Sequence, residues 1–86
     1  MFYAYILRSL KDNNLYMGST NDLKKRMADH NAGKVFSTKT RMPFELIYYE
    51  AYKAESDARR REKNLKLRAN ALGQLKRRMA DSLKIH

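Results

Sequence analysis

An 86-residue chain has room for one hydrophobic core and no second, so residues 1–86 are expected to form a single domain. It contains no cysteine, which excludes a disulfide scaffold and thiolate metal sites. Its 19 Lys and Arg against 9 Asp and Glu give a net charge of +10, which favours a polyanionic partner because each neutralised phosphate releases counterions.

The opening FYAYIL (residues 2–7) is rich in aromatic and β-favouring types and reads as a strand. This apolar run is too short to span a membrane and lacks the basic flank of a secretory leader, so no membrane association is expected. KDNN (11–14) supplies turn residues and LYMG (15–18) a short second strand, which together predict a β-hairpin. STNDLKKRMADHNAG (19–33) predicts a helix, with Thr20 or Asn21 as its N-cap, Asp22 in its first turn and Gly33 at its end. KVFSTKTRMP (34–43) has no clear period and reads as a loop, whereas FELIYYEAY (44–52) carries the strongest strand signal. Helical patterning resumes over about residues 53–68, and NALGQLKRRMADSLKIH (70–86) predicts another helix with an ill-marked start. The order β-β-α-β-α-α suits a small α+β domain built on an antiparallel sheet.

Charge is concentrated late in the chain. Residues 1–52 hold 8 Lys and Arg against 5 Asp and Glu, whereas residues 53–86 hold 11 against 4. The basic segments lack the opposing aromatic face of an interfacial helix, so nucleic acid is the expected partner.

Within this basic surface a few polar residues face inward. With each helical residue turning by about 100°, Met27 and His30 fall on the apolar arc of Leu23, and Arg26 at its edge. Arg26 and His30 are i,i+4 neighbours and share a face. In RREKNLK (60–66), Glu62 lies about 40° from Ala58, on the arc that includes Leu65, while Arg60 and Lys63 project away. A carboxylate turned towards a core needs a cation: an ion pair with Arg26 or Arg61, or a divalent metal ion. On the hairpin, Tyr3, Tyr5 and Leu7 share one face. Tyr16 is expected on that same face, opposite Tyr5 or Ser9, with Gly18 just beyond it allowing a close approach by ligand or backbone.

Two phenols, an Arg, a His and one carboxylate on a basic protein suit phosphodiester hydrolysis, which needs an activated water and charge stabilisation on phosphoryl oxygens. Glu62 can hold Mg²⁺ or Mn²⁺ with waters and phosphate oxygens, Arg26 can clamp developing charge, and Tyr5, Tyr16 or His30 can serve the attacking water. Serine-triad, Cys/His and P-loop arrangements have no candidates here.

The same residues resemble the GIY-YIG nuclease family, in particular its small stand-alone bacterial members. YAY (3–5) and YMG (16–18) are similar to the two signature tripeptides, GSTNDLKKRMADHN (18–31) to the helix carrying an Arg and a later His, and ARRREKNLK (58–66) to the helix bearing a metal-binding Glu. STKTRMPFELIYYE (37–50) is similar to the connection and third strand. The resemblance implies a three-stranded antiparallel sheet flanked by helices and metal-dependent cleavage of DNA. It places Tyr5, Tyr16, Arg26, His30 and Glu62 in the catalytic set, with Glu62 as the metal ligand. The chain departs from the family where Tyr3 replaces the first signature glycine and Ser19 a lysine of the excision-repair members. Lys34 or Lys39 is expected to replace that lysine.

The resulting expectation is a Mg²⁺- or Mn²⁺-dependent DNA endonuclease acting on double-stranded or branched DNA, with a role in DNA repair. Gly18, Ser19, Thr20, Lys34, Lys39, Arg41, Arg60, Lys63 and Lys66 are the expected nucleic-acid contacts. The alternative is a non-catalytic nucleic-acid-binding module that keeps the fold. A monomer or weak dimer in the bacterial cytoplasm, at the nucleoid, is expected, with a protein partner supplying targeting.

Overall fold

The computed structural model describes residues 1–84; Ile85 and His86, the end of the expected last helix, lie outside the described residues. Two strands, β1 (Phe2–Ser9) and β2 (Leu15–Thr20), form the hairpin, followed by α1 (Leu23–Asn31), β3 (Phe44–Tyr52), α2 (Glu55–Leu67) and α3 (Ala69–Arg78). The sheet order is β2-β1-β3, antiparallel throughout, so the fold is the three-stranded α+β architecture expected.

The central strand is covered on both sides, which explains its unbroken buried run from Ala4 to Ser9. On one face Tyr5, Leu7 and Phe44 pack with Tyr16, Leu23 and Met27, bringing α1 onto the sheet. On the other, Ile6 packs with Leu65, Leu75 and Met79 from α2, α3 and the turn after them. Between Ile6 and Leu7 the register to β3 slips, since Ile6 opposes Tyr48 and Leu7 opposes Leu46. This bulge leaves Ile47 on the α2–α3 face, while Phe44 stays with Tyr5 and Leu7. Arg8, buried on the α2–α3 face, bonds to Glu45 through Nε at 2.8 Å and to the Leu83 carbonyl at 2.7 Å, which fixes the chain after α3.

Several boundaries differ from expectation, each for a local reason. β2 continues to Thr20 because Thr20 still pairs with Tyr3, so α1 cannot begin at residue 19. Asp22, not Thr20 or Asn21, is the N-cap, accepting from the Lys25 N–H at 3.0 Å. Thr20 instead accepts from the Asp22 N–H at 3.1 Å, forming the turn that leads into the helix. Gly33, at φ 73°, closes α1 as expected of a residue in the left-handed region. Within the expected loop, Phe36–Thr38 forms one 3-10 turn. α2 and α3 are separated by extended backbone at Arg68, and the last helix stops at Arg78.

Candidate active site

Tyr5 reaches across the hairpin because its cross-strand neighbour is Gly18. A Cβ on Gly18 would lie 2.4 Å from the Tyr5 hydroxyl oxygen, so the close approach expected of a ligand is made by the phenol itself. Tyr16 opposes Leu7, neither Tyr5 nor Ser9, yet it lies on the expected face. His30, on the last turn of α1, is wholly buried between the two tyrosines, 5.2 Å from Tyr16 and 5.9 Å from Tyr5 by ring centroids.

Hydrogen bonds define the protons in this cluster. Thr38 is within 3.4 Å of the Val35 carbonyl, to which its hydroxyl donates. Its Oγ1 is thereby left to accept from His30 Nδ1 at 2.8 Å. The other ring nitrogen, Nε2, then accepts from the Tyr5 hydroxyl at 2.9 Å. Burial lowers the His30 pKa, Arg26 lowers it further, and Asp29 opposes both. Burial also raises the Tyr5 pKa; Arg26 beside it pulls the other way, and Tyr16 and Glu62 add smaller upward pushes. A neutral imidazole accepting from a neutral phenol satisfies both directions.

Arg26 is half-buried next to Tyr5 but makes no well-directed hydrogen bond to it, and its Nε is buried without a partner among the described residues. It also lines a cleft of about 300 Å³ with Ser19, Thr20, Asn21, Glu55 and Arg59. From α2, Glu62 is half-buried and Ala58 and Leu65 are buried, while Arg60 and Lys63 are exposed, as the wheel requires. Among the described residues the alternative ion pair of Glu62 with Arg26 or Arg61 does not form: Arg61 binds Glu50 instead, and Lys66 binds Glu62 Oε2 at 2.6 Å. The same Lys66 ammonium stands 5.8 Å from the Tyr16 ring centre, a cation at this tyrosine that the sequence reading did not name.

Residues 1–78 match the family model described as the GIY-YIG catalytic domain. The chain belongs to the GIY-YIG family. Its relatives include a UPF0213 protein of Staphylococcus haemolyticus (strain JCSC1435), 48% identical over 65 residues, which are 74% of this chain and 78% of that one. A UPF0213 protein of Streptococcus pyogenes serotype M3 is 47% identical over 57 residues, or 65% of this chain and 61% of its own length. This chain thus spans less than two thirds of the streptococcal relative. Among solved structures, the solution NMR structure of the UPF0213 protein BH0048 from Bacillus halodurans has a TM-score of 0.52 to it at 36% identity, covering 87% of this chain and 82% of that one.

GIY-YIG domains are generally endonucleases that use divalent metals. Among the described residues no three His, Asp or Glu side chains gather into a metal cage. This GIY-YIG domain instead offers Glu62, whose Oε1 accepts no hydrogen bond from another described residue. Such a donor fits Mg²⁺ or Mn²⁺ held open to water and phosphate oxygens, and does not fit a closed all-protein site.

The expected nucleic-acid contacts divide by position. Ser19 and Thr20 line the cleft, and Lys66 joins Glu62 to Tyr16. Lys34 and Lys39 are exposed on the loop that also carries Thr38. Arg41 is engaged elsewhere, bonding Asp12 at 2.9 Å and lying 5.6 Å from the Phe44 ring centre. Arg60, paired with Asp57 at 3.2 Å, and Lys63 stand on the outer side of α2, and Gly18 is covered by Tyr5. Thr38, which fixes the His30 tautomer, escaped the sequence reading because a threonine in an aperiodic loop gives no signal.

Proposed function

We propose that this chain is a divalent-metal-dependent DNA endonuclease that hydrolyses phosphodiester bonds with Arg26, Tyr16 and Glu62 as its working residues. The observation that carries this reading is Arg26, a half-buried cation whose Nε–H has no acceptor among the described residues and whose side chain lines the cleft. A fixed fork of donors with spare capacity suits a phosphoryl group, and gains strength as the developing charge grows.

The two phenols take different tasks. Tyr5 is 1% exposed and directs its proton to His30, so it holds the imidazole and stays protonated. Tyr16 is half-buried and orients the attacking water. Glu62 would hold Mg²⁺ or Mn²⁺ through the oxygen that Lys66 leaves free, and Lys66 would stay on Oε2 or meet phosphate. When bound, the metal ion stabilises charge on the phosphoryl oxygens and makes coordinated water more acidic.

Branched or damaged DNA is the proposed substrate, which places the protein in DNA repair, in the cytoplasm at the nucleoid. A monomer or weak dimer, directed by a protein partner, suffices for this role. No described helix is long and apolar enough to cross a membrane.

The test is nicking of supercoiled plasmid and branched duplex with Mg²⁺ or Mn²⁺. Wild type is expected to cut and Glu62→Gln to bind without cutting; equal residual cleavage in both sinks the assignment of Glu62. One observation favours a second reading, a non-catalytic nucleic-acid-binding module: Glu62, the carboxylate proposed to hold the metal, is already paired with Lys66. That reading requires salt-sensitive binding with no metal-dependent nicking of any substrate.

A further inference from the structure

Phe36 is 94% exposed, whereas Phe44 is buried and Phe2 half-buried. A single exposed apolar residue is ordinary on a protein surface, so the setting of this one must carry the argument. Phe36 opens the 3-10 turn Phe36–Thr38. Val35 before it and Thr38 at the end of that turn are both buried, and the Thr38 N–H donates to the Val35 carbonyl at 3.1 Å. The turn is therefore anchored at both ends while its aromatic side chain projects outward. Thr38 also holds His30 at 2.8 Å, so the segment presenting Phe36 is bonded directly to the candidate active site.

Two cations neighbour Phe36 along the chain. Lys34 and Lys39 flank it in sequence, both exposed, and neither forms an ion pair among the described residues. An aromatic ring between cations is the pairing by which proteins hold single-stranded nucleic acid: the ring stacks on a base while the cations meet phosphates.

We propose that Phe36 stacks on an unpaired base of the DNA strand, with Lys34 and Lys39 on the neighbouring phosphates. This inference rests on the nucleic-acid reading above and narrows its substrate to DNA with unpaired bases beside the cut, such as a flap, fork or bulge. A ring inserted into paired duplex must first break base stacking, whereas a base already unpaired has lost its partner. With an exposed ring and two exposed lysines close by in sequence, the loop is suited to the less costly contact.

The experiment measures metal-free binding to two synthetic DNAs of the same sequence, one fully paired and one with a 2-aminopurine in a short unpaired segment. The wild-type protein is expected to quench 2-aminopurine fluorescence and to prefer the unpaired DNA. Phe36→Ala is expected to lose the quenching and to bind that DNA about tenfold more weakly, with duplex affinity unchanged. Phe36→Trp should restore both. The exposure of Phe36 leaves no core contact to lose, and an unchanged thermal midpoint for Phe36→Ala verifies this. If the wild-type protein binds both DNAs and Phe36→Ala keeps the same preference and quenching, the inference is overturned while the nuclease reading stands. If wild type binds neither DNA even at low salt, both fall. Self-association of wild type that Phe36→Ala abolishes, without an effect on DNA, would make a second copy of the chain the occupant and overturn the proposal.

Discussion

Glu62 and Glu50 are both glutamates turned towards the protein, with side-chain exposures of 22% and 20%, yet their surroundings differ completely. Glu50 accepts from the Tyr48 hydroxyl at 2.5 Å, from the Tyr52 hydroxyl, and from Arg61 through two nitrogens at 2.9 and 3.1 Å. Its pKa is lowered although burial alone raises it, because these donors outweigh desolvation. The phenols show the reciprocal effect. Tyr48 and Tyr52 are each pushed to about 12, chiefly by burial and then by the carboxylate they bond. Among the described residues Glu62 has one partner, Lys66, and one oxygen without any. Equal burial thus accompanies unequal satisfaction: a carboxylate with all its donors supplied is a structural tie between α2 and β3, whereas one with capacity left suits a ligand.

The largest effects should separate these roles. Glu62→Gln is expected to reduce cleavage by at least about 10²-fold, as removal of a group stabilising transition-state charge does. Its thermal midpoint should change little, since only one exposed-side ion pair is lost. Glu50→Gln should do the opposite, keeping the cleavage chemistry but weakening the bonds to Arg61 and two tyrosines. A cost of about 2 kcal/mol lowers the midpoint by about 8–16 °C in a domain this small. Calorimetry and a nicking assay on both variants check the pair. A large stability loss in Glu62→Gln, or a cutting defect in folded Glu50→Gln, would erase the distinction.

The contrast was half legible in the sequence. Helical spacing alone turns Glu62 inward and Arg60 and Lys63 outward, because that follows from backbone geometry. Lys66, at i+4, is within reach of Glu62 on the same helix, but Arg26 and Arg61 compete with it as partners in the sequence. Arg61 is instead claimed by a carboxylate on β3, which only the folded chain brings near it. The hairpin face of Tyr16 could be read from strand alternation, but its partner Leu7 depends on turn geometry that the sequence left open. The start of α1 was misplaced because cross-strand pairing of Thr20 outweighs its local capping tendency. Nothing in residues 34–43 advertises that Thr38 holds a histidine or that Phe36 is left uncovered.

The site's weaker satisfaction can be probed from its glycine. Gly18→Ala places a methyl group 2.5 Å from Tyr5 Cζ, and the buried ring must move away from His30 to admit it. A cost of about 1 kcal/mol is expected, near the low end for overpacking, which lowers the midpoint by about 4–8 °C. NMR of the His30 ring should show the loss of the Tyr5 bond to Nε2. If the midpoint and the His30 signals both match wild type, the ring is looser than its packing implies, and the contrast with the Glu50 cluster weakens.

The smallest effect separates the two clusters by pH. Burial, reinforced by Arg26 and opposed by Asp29, holds the His30 pKa below the ordinary imidazole value of about 6.5. The unfolded chain therefore takes up this proton more readily than the folded one, so the histidine's contribution is intact above about pH 6.5 and is lost as pH falls through the folded pKa. Protonated Nε2 can no longer accept from the Tyr5 hydroxyl, and the imidazolium stands beside Arg26. Glu50, whose pKa is also lowered, loses its contribution only further down, below the ordinary carboxyl value of about 4.5. Between pH 7.5 and 5.5 the wild-type midpoint should fall. His30→Gln, which does not titrate there, should lose less over the same interval, while Glu50→Gln should follow the wild-type slope. Parallel slopes for wild type and His30→Gln would remove the buried histidine as the source of acid sensitivity and leave the two clusters alike in their response to protons.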